Sequence, residues 1–273
     1  MDKSQTSRKH QETTMAKGWA KFPYADKQYV YTAATLKKAW DRLHKGDAEP
    51  FPKDEAVVEA WIAFHAGEFQ KAHDLGLKAG GAGVTVANKA EAIHANYLEE
   101  SDSAKLKHFQ EVAARAEAQQ DAEPKNANAY YWQAYALGRY AQGISIAKAL
   151  SQGIGTKVKT ALDTAVELAP KHADVNIALG SYHAEVIDKV GAMIGGLTYG
   201  AKKDLGLKHY ETALKLNPDS AIARVEYANG LVMLEGKKAL ARAEKLYAEA
   251  AECEPLDAME RLDVELAKAE LED

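Results

Sequence analysis

One short phrase is written three times between Ala161 and Pro255, and nothing else in the chain narrows its folding choices as much. The copies are Ala165-Val-Glu-Leu168-Ala-Pro170, Ala213-Leu-Lys-Leu216-Asn-Pro218 and Ala250-Ala-Glu-Cys253-Glu-Pro255. Each places an alanine five residues before a proline and an apolar residue two before it. Leu162, Tyr210 and Tyr247 stand eight residues before their prolines, and Val158, Gly206 and Ala243 twelve before. Steps of three and four put these positions on one helical face, and the proline then stops the helix. A second helix follows each proline. Gly180 and Ala228, ten residues after Pro170 and Pro218, are small enough to let two helices approach closely.

On these residues the chain resembles the tetratricopeptide repeat, a helix–turn–helix unit of about 34 residues. The resemblance implies an all-α fold: a right-handed superhelical stack of antiparallel helix pairs, an α-solenoid. The expected division is a polar tail over 1–20, degenerate helical repeats over 21–123, and tetratricopeptide-like repeats over 124–273 with two insertions and a final capping helix. In order, helices are expected over 29–45, 53–66, 68–79, 85–98 and 103–120, and after an N-cap at Asn126. The last two are expected over 240–253 and 258–271.

The spacing of the repeats is irregular. Pro124 and Pro170 are 46 residues apart, Pro170 and Pro218 48, and Pro218 and Pro255 37. The surplus in the first two units falls between their paired helices, over 143–157 and 190–203. Both segments are glycine-punctuated and apolar, with Ile144, Ile146 and Ile154 in one and Met193, Ile194, Leu197 and Tyr199 in the other. Stacked repeats set equivalent insertions side by side, so the two form a candidate contact surface and a possible route to a homodimer.

Composition excludes several classes. The 35 basic and 40 acidic residues give a net charge of −5, without the basic face of a nucleic-acid binder. Cys253 is the only cysteine, which excludes disulfides and cysteine zinc sites; it is expected to be a buried structural thiol. No stretch reaches the roughly 18 apolar residues that cross a bilayer. Residues 1–14 lack the apolar core of a secretory signal, so the expected location is cytoplasmic, or periplasmic if a leader has been removed.

No catalytic constellation stands out. None of the nine histidines pairs at the His-x-x-x-His spacing that aims two imidazoles at a metal. His183, Glu185 and Asp188 point in different directions on a helix. Gly80-Gly81-Ala82-Gly83 lacks a preceding strand, and Gly153-Ile-Gly155-Thr-Lys157 lacks the order of a phosphate loop. No buried polar cluster, cofactor or metal is expected.

In tetratricopeptide folds the first helices of successive units line a groove. The resemblance therefore assigns the groove to Asn128, Tyr131, Tyr135 and Gly138, then Asp174, Ile177, Ser181 and Ala184, then Ile222, Val225, Asn229 and Val232. Tyr131, Ile177 and Val225 stand where carboxylate-clamping units carry polar residues, so the expected lining is aromatic and aliphatic. The expected function is a non-catalytic scaffold that binds a protein or peptide partner in this groove. The alternative is a transport-associated carrier for a small apolar or organic-acid ligand.

A narrower resemblance covers 130–218. Tyr130-Tyr131-Trp132, Leu162-Asp-Thr-Ala165-Val-Glu-Leu168, Ala178-Leu-Gly180-Ser-Tyr182, Gly195-Gly196 and His209-Tyr210-Glu-Thr-Ala213-Leu-Lys-Leu216 are similar to the helical T component of TRAP-type solute transporters. It implies a bacterial protein that assembles with a periplasmic solute-binding partner.

Overall fold

Many helices in this chain begin where a side chain accepts the free amides of a first turn. Thr32, Asp54, Ser101, Asn126, His172 and Ser220 all do so. The computed structural model describes residues 18–272, and no strand occurs among them. In order the helices are α1 (Ala33–Leu43), α2 (Glu55–His65), α3 (Phe69–Ala79), α4 (Gly83–Tyr97), α5 (Asp102–Ala122), α6 (Ala127–Gln142) and α7 (Ile146–Ser151). They continue with α8 (Ile154–Leu168), α9 (Ala173–Val190), α10 (Ala192–Tyr199), α11 (Lys203–Leu216), α12 (Ala221–Glu235), α13 (Leu240–Ala251) and α14 (Ala258–Glu272). The first helix starts later than the periodicity predicts. Thr32 and Thr35 form a reciprocal capping box that fixes its start, and Lys27–Tyr29 turn as a separate 3₁₀ segment.

Consecutive helices pack as pairs, α2 with α3, α4 with α5, α6 with α8, α9 with α11 and α12 with α13. The first members stack along an inner layer in which α2 meets α4, α4 meets α6, α6 meets α9 and α9 meets α12. The fold is an all-α solenoid. The surplus residues of the two long units build α7 and α10, which lie between the paired helices and against α8 and α9.

Small residues set the spacing of the written repeats. A Cβ at Gly180 would lie 2.8 Å from the Tyr210 ring, and one at Gly230 only 2.5 Å from it. Tyr210 is 1% exposed and fills the space that both glycines leave. Cys253, expected to be buried, is half-buried two residues beyond α13, against the cluster that includes Val264 and Ala267.

α14 packs on α12 and α13 and also reaches α2. Its Ala258 and Leu262 join a core with Trp40, Trp61, Phe64 and Phe69. Arg42 Nη1 meets Glu260 Oε1 at 2.6 Å, and the Tyr31 hydroxyl donates to the Leu256 carbonyl at 2.8 Å. Of the polar tail expected over 1–20, positions up to 17 lie outside the described residues. Trp19 donates its amide to Gln70 and stacks on His94.

Candidate binding site

The inner layer encloses a cavity of about 450 Å³. Helices α4, α6, α9, α12 and α14 form its wall and floor, and residues of both insertions close its side. Its two ends differ in chemistry. The insertion end is mainly apolar, formed by Ile144, Ile146, Leu150, Ile154, Val158 and Tyr199, with Gln142, Glu185 and Lys189 bonded to one another beside them. Tyr182, which donates to the Tyr199 carbonyl at 3.1 Å, ties α10 to the wall.

The opposite end is polar and carries Lys89, Tyr97, Arg139, Asp174, Glu226 and Asp263. Arg139 Nη2 meets Glu226 Oε1 at 2.7 Å and lies 5.3 Å from the Tyr135 ring centroid. Burial works against its charge, but Glu226 and the tyrosines around it hold the guanidinium protonated. Burial and the Asp47 charge raise Asp174 to about 7. Asp263 is raised to about 8 by burial, with Asp257 and Glu260 adding to the shift. The Tyr97 hydroxyl donates to Asp263. Near neutral pH these two acids can therefore present a proton as well as accept one.

Behind the polar end lies a buried network that the sequence reading does not anticipate. Lys89 Nζ is 2.6 Å from Asp47 Oδ2, and His44 Nδ1 is 2.9 Å from Asp47 Oδ1. His44 and His65 meet at 3.3 Å through their Nε2 atoms, and His65 Nδ1 is 2.7 Å from Asp257. Burial alone would raise Asp47, yet His44 and Lys89 hold it well below the carboxylate range. Burial lowers His44 to about 4, so it is neutral at physiological pH. The segment 44–49 carries this network into the inner layer, where the Gly46 carbonyl accepts the Asp174 amide at 3.0 Å.

Of the residues assigned to the groove from sequence, Tyr131, Tyr135, Gly138, Asp174, Ile177, Ser181 and Ile222 line this cavity. Asn128 does not. It donates to Glu49 Oε2 at 2.6 Å and accepts at 2.9 Å from His172 Nε2, inside the buried network. Val225 is fully buried in a cluster with Ala250 and Val264, because α14 packs across that side of α12. Asn229 accepts from the Tyr247 hydroxyl. On α12 the cavity is faced instead by Ile222 and Glu226. Lys89 and Asp263 escape the sequence reading because nothing in the sequence marks α4 and α14 as groove helices, and Arg139 escapes it because it falls one residue past the Gly138 register position on α6. A usable signal exists in α4, where Lys89 and Glu91 sit among alanines and valines with no polar face to hold them.

Two other groups bear on metal binding. His183 accepts the Lys202 amide at 3.2 Å and stacks on His209, so its ring is engaged away from Glu185 and Asp188. His94, Glu99 and His108 have ligand-type atoms within 4.8 Å of one another. His94 Nε2 accepts the Ala20 amide, which leaves the proton on Nδ1 and makes that atom a donor, not a ligand.

Residues 84–269 match the family described as Regulator of microtubule dynamics protein 1-3, a span of more than half the chain. The chain belongs to that family. A solved structure of a thermophilic TPR protein in Thermus thermophilus is similar, with a TM-score of 0.55 at 15% identity. The likeness covers 79% of this chain and 98% of that one, and it establishes the tetratricopeptide-like fold. No curated protein matches the chain, so the resemblance of 130–218 to the TRAP-type T component gains no support. Among the described residues no helix is long and apolar enough to cross a membrane. As a tetratricopeptide-like member of this family, the protein is a helical-repeat protein of the kind that mediates interactions.

Proposed function

We propose that the protein is a non-catalytic carrier whose inner cavity holds a small amphipathic molecule. The observation behind this reading is the cavity's two-ended lining. An apolar body fits between the insertions, and a hydrogen-bonding head fits against Asp174, Asp263 and the surrounding tyrosines. Its volume falls within the range of about 300–1,000 Å³ typical of small-molecule sites. The cations there are already matched, Lys89 by Asp47 and Arg139 by Glu226. A head that hydrogen-bonds therefore suits the site better than one with a large uncompensated charge.

Gly138 offers a clean test. It lines the cavity, and a Cβ there would meet nothing within 4 Å. Gly138→Phe is expected to fill the cavity while keeping or raising thermal stability, since glycine is a poor helix residue by about 1 kcal/mol. Native mass spectrometry of the purified protein should show a bound small molecule in the wild type and none in Gly138→Phe. A ligand-free wild type would overturn the carrier reading.

The second reading is a protein or peptide partner. It is favoured by the family's description as a regulator of microtubule dynamics and by the aromatic lining at Tyr131 and Tyr135. A stoichiometric protein partner, released by Tyr135→Ala in a variant of unchanged helicity, would establish it.

A further inference from the structure

The outer surface of the insertions is unlike the rest of the molecule. On α10, Leu197 is 84% exposed, Met193 75% and Ile194 52%; on α7, Leu150 is 49% exposed and Ile146 47%. The two helices are close: Tyr199 at the end of α10 lies against Gly155, just beyond α7, where an added Cβ would come within 3.1 Å of its ring. Met193, Ile194 and Leu197 therefore face solvent outside the cavity, and Ile146 and Leu150 are exposed where they line its apolar end.

The charged residues within the insertions are all basic, and exposed Asp188 and Asp204 stand just outside the α10 stretch. Residues 143–161 carry Lys148, Lys157 and Lys159, and 189–203 carry Lys189, Lys202 and Lys203. Neither stretch contains an aspartate or glutamate, in a chain whose net charge is −5. Lys159, Lys189 and Lys203 pair with Asp163, Glu185 and Glu235 on neighbouring helices. Lys148 instead lies 5.7 Å from the Tyr140 ring centroid, and Lys148, Lys157 and Lys202 are exposed. The edge is thus an apolar tip with a basic rim.

We infer that α7 and α10 together form a docking surface for an anionic lipid bilayer. Apolar side chains enter the headgroup–acyl boundary and lysines meet anionic headgroups, a division of labour that interfacial helices use. At eight residues, α10 is about 12 Å long, enough to lie in the interface but not to cross it. A second copy of the chain fits this edge less well. A two-fold contact through the same patch would set its exposed lysines against their own copies, and the exposed Asp188 and Asp204 would offset them only in part.

Met193, Ile194 and Leu197 are not among the residues lining the cavity, so this surface can be tested apart from any cavity ligand. The experiment is co-sedimentation of the full chain with phosphatidylcholine vesicles, with and without phosphatidylserine. Binding is expected only when phosphatidylserine is present and should weaken as salt is raised. Met193→Ser/Leu197→Ser should lower the bound fraction by about tenfold or more, given the apolar groups it removes. Lys148→Glu/Lys157→Glu/Lys202→Glu should abolish the phosphatidylserine dependence. Circular dichroism checks that both variants, which change only exposed side chains, stay folded. Absence of vesicle binding, or binding indifferent to both variants, would overturn the inference. So would a dimer in sedimentation velocity that Met193→Ser/Leu197→Ser dissolves without any vesicle binding. The carrier reading survives each of those results, because its own readout is the mass bound in the cavity.

Discussion

Between α9, α11 and α12 the packing consists of two glycines facing one tyrosine ring. Between α1, α2, α4 and α14 it consists of histidines, carboxylates and a lysine set among tryptophans and phenylalanines. Both regions belong to one solenoid, yet they use different means to hold helices together. Where a repeat is well written, helices of one unit and the next supply the fit, and shape alone decides the spacing. Where it is degenerate, the fit comes from directional bonds between segments far apart in sequence. The first kind of packing is sensitive to volume and the second to unpaired charge.

Four substitutions would sharpen or break that contrast. Lys89→Met removes the cation that neutralises Asp47 in the network and should cost about 3–5 kcal/mol, measured by urea unfolding. Adding Asp47→Asn should recover part of this loss, since the stranded charge disappears. Full additivity would show that the network is a set of independent contacts. Gly230→Ala should cost about 1–2 kcal/mol, because overpacking against Tyr210 exceeds the gain in helix propensity. Gain of stability there would mean that shape does not set the spacing of the written repeats. Asn126→Ala loses the N-cap of α6 at the junction of the two regions and should cost about 1 kcal/mol.

The same contrast decides what the sequence could reveal. The alanine–proline phrase makes α8, α11 and α13 readable, and the proline spacing locates the insertions that became α7 and α10. Tyr131, Tyr135, Ile177 and Ser181 could be placed at the site because they follow a repeat register on α6 and α9. On α12 that register holds for Ile222 alone, because α14 covers Val225, and Glu226 faces the cavity from outside the register. It has nothing to say about His65 and Asp257, which bond across 192 residues, or about Asn128 and Asp47, which bond across 81. Periodicity encodes neighbours along a helix and between adjacent helices. It carries no information about a loop or a terminal helix that returns across the stack.

That return has a consequence for how the molecule is made. An ordinary solenoid can be assembled one repeat at a time, each new unit docking on the one before it. Here Asp257, Ala258 and Leu262 complete the core of the opening helices. During vectorial synthesis α1 and α2 must wait for α14 with His65 lacking its Asp257 partner and their aromatic face partly open, a window in which chaperones can engage them. Once the loop closes, the ends stabilise one another, so the stack should melt as one cooperative unit and resist fraying from either terminus.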